Sequence, residues 1–306
     1  MRLITRDDFD GMACAALLTD VGTVDAYKFV HPREVQHGRV PVNSNDVLAN
    51  VPFAEGCGLW FDHHSSEKER LKVKNLSQFG ESRHAPSTAQ IIWEYYEGEK
   101  VFGKQFNSLI KAVNKTDSAD LRLDEILQAK KWVLLYFIVD PRTELETLEK
   151  FRINGDQFFM DMIQYCRKMT IDEILELPDV QERVERYEEN QIFYKEMLGR
   201  CTTIDKNVIT TNLLDESNQF CGNRFIIYAR NKSQNIEIRL SWDADKKDVL
   251  FNCGHSILNR TSQTNVGKLM LKYGGGGHSR VGSCAVPKKN WKKVYKEIKT
   301  QMLADG

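Results

Sequence analysis

Residues 58–66 read Gly58-Leu59-Trp60-Phe61-Asp62-His63-His64-Ser65-Ser66, a short apolar run that ends abruptly in a carboxylate and two imidazoles. Glycine bounds the run on one side and polar residues on the other, so 58–61 reads as a buried strand that delivers Asp62-His63-His64 at its carboxyl end. The flanking chain repeats this texture. Segments 2–5, 23–30 and 47–51 read as strands, and 12–18 reads as the helix after the first of them. Short apolar strands alternating with helices predict a parallel sheet covered by helices. In such sheets ligands gather beyond the carboxyl ends of the strands, which is where this stretch places its chemistry.

Beyond residue 85 helices dominate, with segments 87–97, 103–113, 123–139 and 155–168 as the main ones. Thr170-Ile171-Asp172-Glu173 carries a capping-box pattern for one more helix start. After Pro178 comes a charged run, 180–198, which reads as a solvated helix joining two domains. From residue 201 the texture turns to strands at 208–213, 224–229, 236–242 and 249–252, and a helix at 266–273 leads into four glycines. The expected organisation is an α/β parallel-sheet domain over 1–185, a connecting helix over 186–200, and a smaller α/β domain over 201–306.

The 306 residues, 41% of them apolar, suffice for two cores. Lys plus Arg number 43 and Asp plus Glu number 43, so no bulk positive field exists to hold a long nucleic acid, and an anionic ligand must be gripped locally. Seven cysteines, at 14, 57, 166, 201, 221, 253 and 284, form no Cys-x-x-Cys pair and read as small buried hydrophobes in a reducing compartment. The apolar run 132–139 is too short to span a bilayer, and the first residues enter a strand without a signal-peptide core. A cytoplasmic protein without membrane association is expected.

Three further segments carry chemistry-bearing residues. Asp8 and Asp10, in Asp7-Asp8-Phe9-Asp10-Gly11, stand in a strand-to-helix turn where they either converge on a ligand or simply cap the helix. Asp117, after the segment ending near 113, is a metal ligand or a cap. Tyr273-Gly274-Gly275-Gly276-Gly277-His278-Ser279-Arg280 is a glycine loop whose backbone amides suit an anion, with His278 and Arg280 as added donors.

Asp8-x-Asp10, Asp62-His63-His64, Asp117 and the Gly275-Gly276-Gly277-His278 loop occur in the order of the motifs of the DHH/DHHA1 phosphoesterase superfamily, which this sequence resembles along its whole length. The resemblance implies a metal-binding domain and a smaller substrate-binding domain with the site in the cleft between them. It implies Asp8, Asp10, His63 and Asp117 as ligands of one or two Mn²⁺ ions, with Mg²⁺ as an alternative. Asp62 would orient an imidazole, and His64 would face the substrate phosphate. In the second domain Gly275, Gly276, Gly277, His278, Arg260 and Arg280 would hold the substrate.

Two positions depart from the family pattern. Ile4 stands where many members have a histidine ligand, and Asn50 stands where a metal-bridging aspartate is common. The expected activity is Mn²⁺-dependent hydrolysis of phosphodiester bonds in short oligonucleotides or dinucleotides. The alternatives are a polyphosphate or pyrophosphate hydrolase, and a nucleotide-binding sensor with an impaired metal site. Long duplexes are not expected as partners, and a homodimer is compatible with the reading.

Overall fold

A computed structural model describes residues 1–64 and 79–306; Ser65 and Ser66 of the stretch quoted first lie outside them. The chain forms two compact units, one from Met1–Leu121 with Ala129–Tyr187, the other from Arg122–Gln128 with Glu188–Gly306. The helix Pro178–Cys201 contributes its first residues to one unit and the remainder to the other.

The first unit is built on five parallel strands in the order β2-β1-β3-β4-β5, with β1 Arg2–Thr5, β2 Ala26–Phe29, β3 Asp46–Ala49, β4 Leu59–Asp62 and β5 Gly80–Ser82. The chain winds outward in both directions from β1, so a switch point lies between β1 and β3, where sheets of this kind bind ligands. Thr5 pairs with Ala49 and Ala49 with Phe61, which brings the carboxyl ends of β1, β3 and β4 level. Leu3, Ile4, Val47, Leu48, Trp60 and Phe61 are fully buried, as expected for strands covered on both faces. Each such side chain contributes about 1.5–3 kcal/mol by leaving water. The helix Phe9–Asp20 is buried over every residue from Phe9 to Leu18, and its small residues Ala13, Cys14, Ala15 and Ala16 let helices Thr88–Tyr95 and Gly155–Lys168 pack closely on it.

Two segments differ from their sequence reading. Segment 123–139 is two helices, Leu123–Leu127 in the second unit and Lys131–Val139 in the first. The polar linker between them ends at Lys131 with φ of 52°, a left-handed residue that breaks the run. Segment 224–229, read as a strand, is the helix Ile226–Arg230, started where the Asn223 side chain accepts the Phe225 N–H at 2.8 Å. Ile226, Ile227, Tyr228 and Ala229 are all buried, and an apolar run buried on all sides carries no period that separates strand from helix.

In the start of helix Pro178–Cys201, Arg183 is fully buried between the rings of Phe151 and Phe158, at 4.3 and 3.7 Å. Its guanidinium meets Glu146 at 2.5 Å and donates to the carbonyls of Ile153 and Asp179 at 2.7 and 3.2 Å. A charge this deep is tolerated because every face has a partner.

The second unit holds a six-stranded sheet in the order β10-β11-β9-β8-β7-β6, comprising β6 Thr202–Asp205, β7 Val208–Asn212, β8 Ile236–Trp242, β9 Asp248–His255, β10 Gly276–Gly277 and β11 Val281–Pro287. Only β7 and β8 run parallel. Helices Val266–Leu271 and Trp291–Asp305 close the core around Ile236, Phe251, Met270, Ile298 and Met302. The seven cysteines are free thiols. Among the described residues no helix is long and apolar enough to cross a membrane.

Candidate functional site

The carboxyl end of β4 and its neighbours bring Asp10, His63 and Asp117 together, with one ligand atom from each lying within 4.8 Å of the others. Each is fixed by a different local device. Asp10 sits in the first turn of helix Phe9–Asp20, and its two oxygens accept the N–H groups of Thr88 and Ala89, both at 2.9 Å, at the start of helix Thr88–Tyr95. Asp117 is the last residue of helix Asn107–Asp117. His63 places Nδ1 3.2 Å from the carbonyl of Ala85 and Nε2 3.2 Å from Asp117. A proton on Nδ1 donated to that carbonyl leaves the Nε2 lone pair for a cation, the arrangement that orients metal-bound histidines.

Electrostatics favour the same reading. Burial, then the charge of Asp10 with Asp8 behind it, pushes the Asp117 carboxyl up to about 7 against the pull of His63 and Arg142. Burial likewise raises Asp10, although His63 and two backbone N–H groups draw it back. These carboxylates are short of positive charge, which a divalent cation supplies; two carboxylates and an imidazole are a donor set such an ion accepts. The nearby Cys14, its Sγ 3.9 Å from Asp10, is pushed well up by burial and by these acids, so it stays a neutral thiol.

Asp8 stands apart from this group. It caps helix Phe9–Asp20, with Oδ1 accepting the Gly11 N–H at 3.0 Å and the Asn50 side-chain amide at 2.9 Å, while the Arg6 guanidinium lies 3.2 Å from Oδ2. Asn50 follows β3 with φ of 56° and turns its Nδ2 to Asp8, so the group facing that carboxylate is a donor, not a ligand oxygen. Ile4 is fully buried in the core with Leu48 and Trp60. In the structure, Asp8 is thus held by amide, backbone and guanidinium N–H groups, and Asn50 presents Nδ2 to it.

Asp62 is fully buried and serves His64, accepting its backbone N–H at 3.1 Å and its Nδ1 at 2.8 Å. Burial alone would lower the His64 pKa, but Asp62, aided by Asp117 and Asp10, outweighs it and raises the imidazole to about 9. His64 is an imidazolium at neutral pH.

The glycine loop of the second unit is a tight hairpin. Gly275 N–H donates to the Met270 carbonyl at 3.1 Å and His278 N–H to that of Val281 at 2.7 Å, so these two amides are engaged within the hairpin. A Cβ at Gly275 would lie 2.0 Å from the Ser283 carbonyl, and Gly277 has φ of 147° with the Val281 carbonyl similarly close to any added Cβ, at 2.3 Å. Packing thus requires both glycines. Gly276 differs, because a Cβ there would meet nothing within 4 Å. His278 and Arg280 are exposed beside this hairpin. Burial and Arg280 together lower the His255 pKa, and His255 Nε2 lies 2.8 Å from the Thr264 carbonyl. Arg260 is exposed, with Nε donating to the Ile257 carbonyl at 3.1 Å.

Sequence reasoning missed two cations beside the metal group. Arg6 pairs with Asp8, and Arg142 acts on both Asp8 and Asp117. No motif marks either; Arg142 stands in an unremarkable Asp140-Pro141-Arg142 turn, and only folding brings it near.

No protein-family model matches the chain, and no curated protein matches it. Among solved structures, the pGpG-specific phosphodiesterase PggH from Vibrio cholerae is 40% identical with a TM-score of 0.84, over 100% of this chain and 99% of its own. The DHH domain of a member of a ribosomal-protein family is 12% identical with a TM-score of 0.55, over 99% of this chain and 86% of its own. RecJ from Thermus thermophilus, in complex with Mn²⁺, is 11% identical with a TM-score of 0.53, over 99% of this chain and 52% of its own. The last two share the fold alone. A five-stranded parallel sheet with carboxylates and imidazoles at its strand ends, followed by a mixed-sheet unit, is the architecture of a phosphoester hydrolase. The chain belongs to the DHH/DHHA1 phosphoesterase superfamily.

Proposed function

We propose that the protein is a divalent-cation-dependent phosphodiesterase that cleaves a linear dinucleotide of the pGpG kind, with one cation held by Asp10, His63 and Asp117. The observation that carries this reading is that three-residue group, standing in a chain that a pGpG-specific phosphodiesterase matches from end to end. Mn²⁺ is the ion the proposal names, since carboxylates with an imidazole and no thiolate suit it well.

When bound, the cation supplies positive charge to the phosphoryl oxygens and acidifies a water. The chain's own residues do the rest. Thr88 and Ala89 hold Asp10 still, and Ala85 keeps the His63 proton on Nδ1. Asp62 pins His64 through Nδ1, so Nε2–H is the donor that meets a phosphoryl or leaving oxygen. Within the second unit, Arg260, His278, Arg280 and the open face at Gly276 are proposed as substrate-binding groups. A net charge of zero fits a small substrate better than a long polyanion.

Product analysis tests the proposal: purified protein with Mn²⁺ is given pGpG, a cyclic dinucleotide, a short oligomer and polyphosphate. The expected result is mononucleotide from pGpG, abolished by Asp10→Ala. Phosphate release from polyphosphate without dinucleotide cleavage would overturn it in favour of a phosphoanhydride hydrolase. Binding of pGpG without turnover in excess Mn²⁺ would overturn it in favour of a sensor.

A further inference from the structure

We propose that Arg142 grips the phosphoryl group under attack, its guanidinium supplying positive charge on the side of the site where Asp8 is already held by Arg6 and Asn50. The inference rests on the phosphodiesterase reading above and extends it to a residue that no motif marks.

The geometry around Arg142 is that of a mounted donor. Asp140 is buried, its side chain 0% exposed, and its Oδ1 accepts both the Arg142 backbone N–H at 3.0 Å and Nε–H at 2.8 Å. Arg142 itself keeps 43% of its side chain exposed, and its bond to Asp140 runs through Nε, not through a terminal nitrogen. The pair offsets the cost of burying the Asp140 carboxylate and still leaves part of the guanidinium open to solvent. Clamped at Nε, the planar fork has two terminal nitrogens in a fixed direction, the form in which arginine recognises phosphate.

The mount stands beside the metal group. Arg142 follows helix Lys131–Val139, whose Trp132 and Tyr136 rings lie 6.3 and 6.1 Å from that of Phe9, the residue between Asp8 and Asp10. Its positive charge acts on both Asp8 and Asp117. Asp8 needs no more from it, because both its oxygens already have N–H or guanidinium partners. A phosphoryl group drawn to a cation at Asp10, His63 and Asp117 would therefore also come under the charge of Arg142. Charge placed there acts most strongly on the transition state, where negative charge on the phosphoryl oxygens is fixed against preorganised donors.

The test compares full-length wild type, Arg142→Gln and Arg142→Lys, each loaded with Mn²⁺. Calorimetry measures Mn²⁺ and inorganic phosphate binding, and kinetics measures pGpG cleavage. Arg142→Gln is expected to leave Mn²⁺ affinity within about threefold, weaken phosphate about tenfold, and lower kcat about a hundredfold with little change in KM, the scale set by loss of one preorganised donor. Arg142→Lys keeps the charge but not the fork, and is expected to restore the melting temperature while kcat stays at least about tenfold low.

The proposal is overturned if Arg142→Gln retains phosphate affinity and kcat within about twofold. It is also overturned if the Gln variant melts early and loses Mn²⁺ while the Lys variant recovers full kcat, since Arg142 would then only brace the turn. If wild type binds phosphate through Arg142 but cleaves no dinucleotide, the substrate reading falls and the role of Arg142 stands.

Discussion

Asn50→Asp is the most searching test of how the site distributes charge. In the wild-type protein the Asn50 amide donates to Asp8 Oδ1 at 2.9 Å inside a buried turn. The substitution keeps the shape and the left-handed backbone, which aspartate also tolerates, but turns a donor into an anion. A hydrogen bond to a charged acceptor, worth about 1.5–3 kcal/mol, is lost. Two carboxylates about 4 Å apart at an effective dielectric near 20 add about 4 kcal/mol of repulsion. The pair has a cheaper escape, which is to share a proton. Holding that proton at pH 7.5 against an ordinary pKa of about 3.9 takes about 3.6 units, or about 5 kcal/mol, while at pH 5 it takes only about 1.5 kcal/mol. Arg6, 3.2 Å from Asp8, eases the repulsion further. The expected loss without metal is therefore about 3–5 kcal/mol at pH 7.5 and about 1–2 kcal/mol at pH 5.

The sign follows from linkage. A carboxyl whose folded pKa is raised adds stability at low pH and loses it as pH climbs through the folded value. Urea unfolding of metal-free wild type and Asn50→Asp at both pH values measures the gap. Added Mn²⁺ should close the gap at pH 7.5 and raise the bound stoichiometry from one ion to two. Equal midpoints for the two proteins at pH 7.5, or two Mn²⁺ ions on the wild type, would refute the reasoning.

Gly275→Ala should lower the melting temperature by several degrees, because its Cβ would lie 2.0 Å from the Ser283 carbonyl, whereas Gly276→Ala should leave it unchanged and weaken only pGpG binding. Equal melting losses in a thermal scan would show that Gly276 is structural too. Mn²⁺ binding to wild type should release protons near pH 7 and stabilise the protein more at pH 8 than at pH 6. The Asp117 carboxyl, raised to about 7, favours the metal-free fold at low pH and ceases to do so as pH rises through that value. Thermal shift with and without Mn²⁺ at the two pH values checks this. Arg183→Met should cost about 3–5 kcal/mol by urea unfolding, since it leaves Glu146 and two carbonyls without their buried partner. A loss under about 1 kcal/mol would mean the apolar replacement repacks well between Phe151 and Phe158.

Strand ends were the most legible feature of the sequence. β1, β3 and β4 are short runs of buried residues followed closely by Asp8, Asn50 and Asp62-His63-His64, so both the parallel sheet and the level of its site follow from apolar pattern and position. The placement of His63 and Asp10 near those strand ends was legible for the same reason. The helix Ile226–Arg230 was hidden because burial on every side erases periodicity, and the break at Lys131 because one left-handed residue leaves no compositional mark. The glycine hairpin was legible only in part. Gly275 and Gly277 are demanded by backbones passing within reach of a missing Cβ, a tertiary contact that no local spacing reports.

Asp8 and Asp10 make the deeper point, because two identical side chains two residues apart receive opposite tasks. Asp8 faces the Gly11 and Asn50 N–H groups and the Arg6 guanidinium, so its charge is matched inside the protein. Asp10 receives two backbone N–H groups but shares its group with Asp117; burial and the charge of Asp8 drive Asp10 upward, and burial with the charges of Asp10 and Asp8 drives Asp117 upward. A cation relieves the second pair and would gain little from the first. On the proposed reading, metal preference is set by what lies opposite each carboxylate: Arg6 and Asn50 face Asp8, while Asp10 stands in one group with His63 and Asp117. Replacing Asn50 alters that opposition at one atom, which is why a single amide-to-carboxylate change should move both the stability and the ion count.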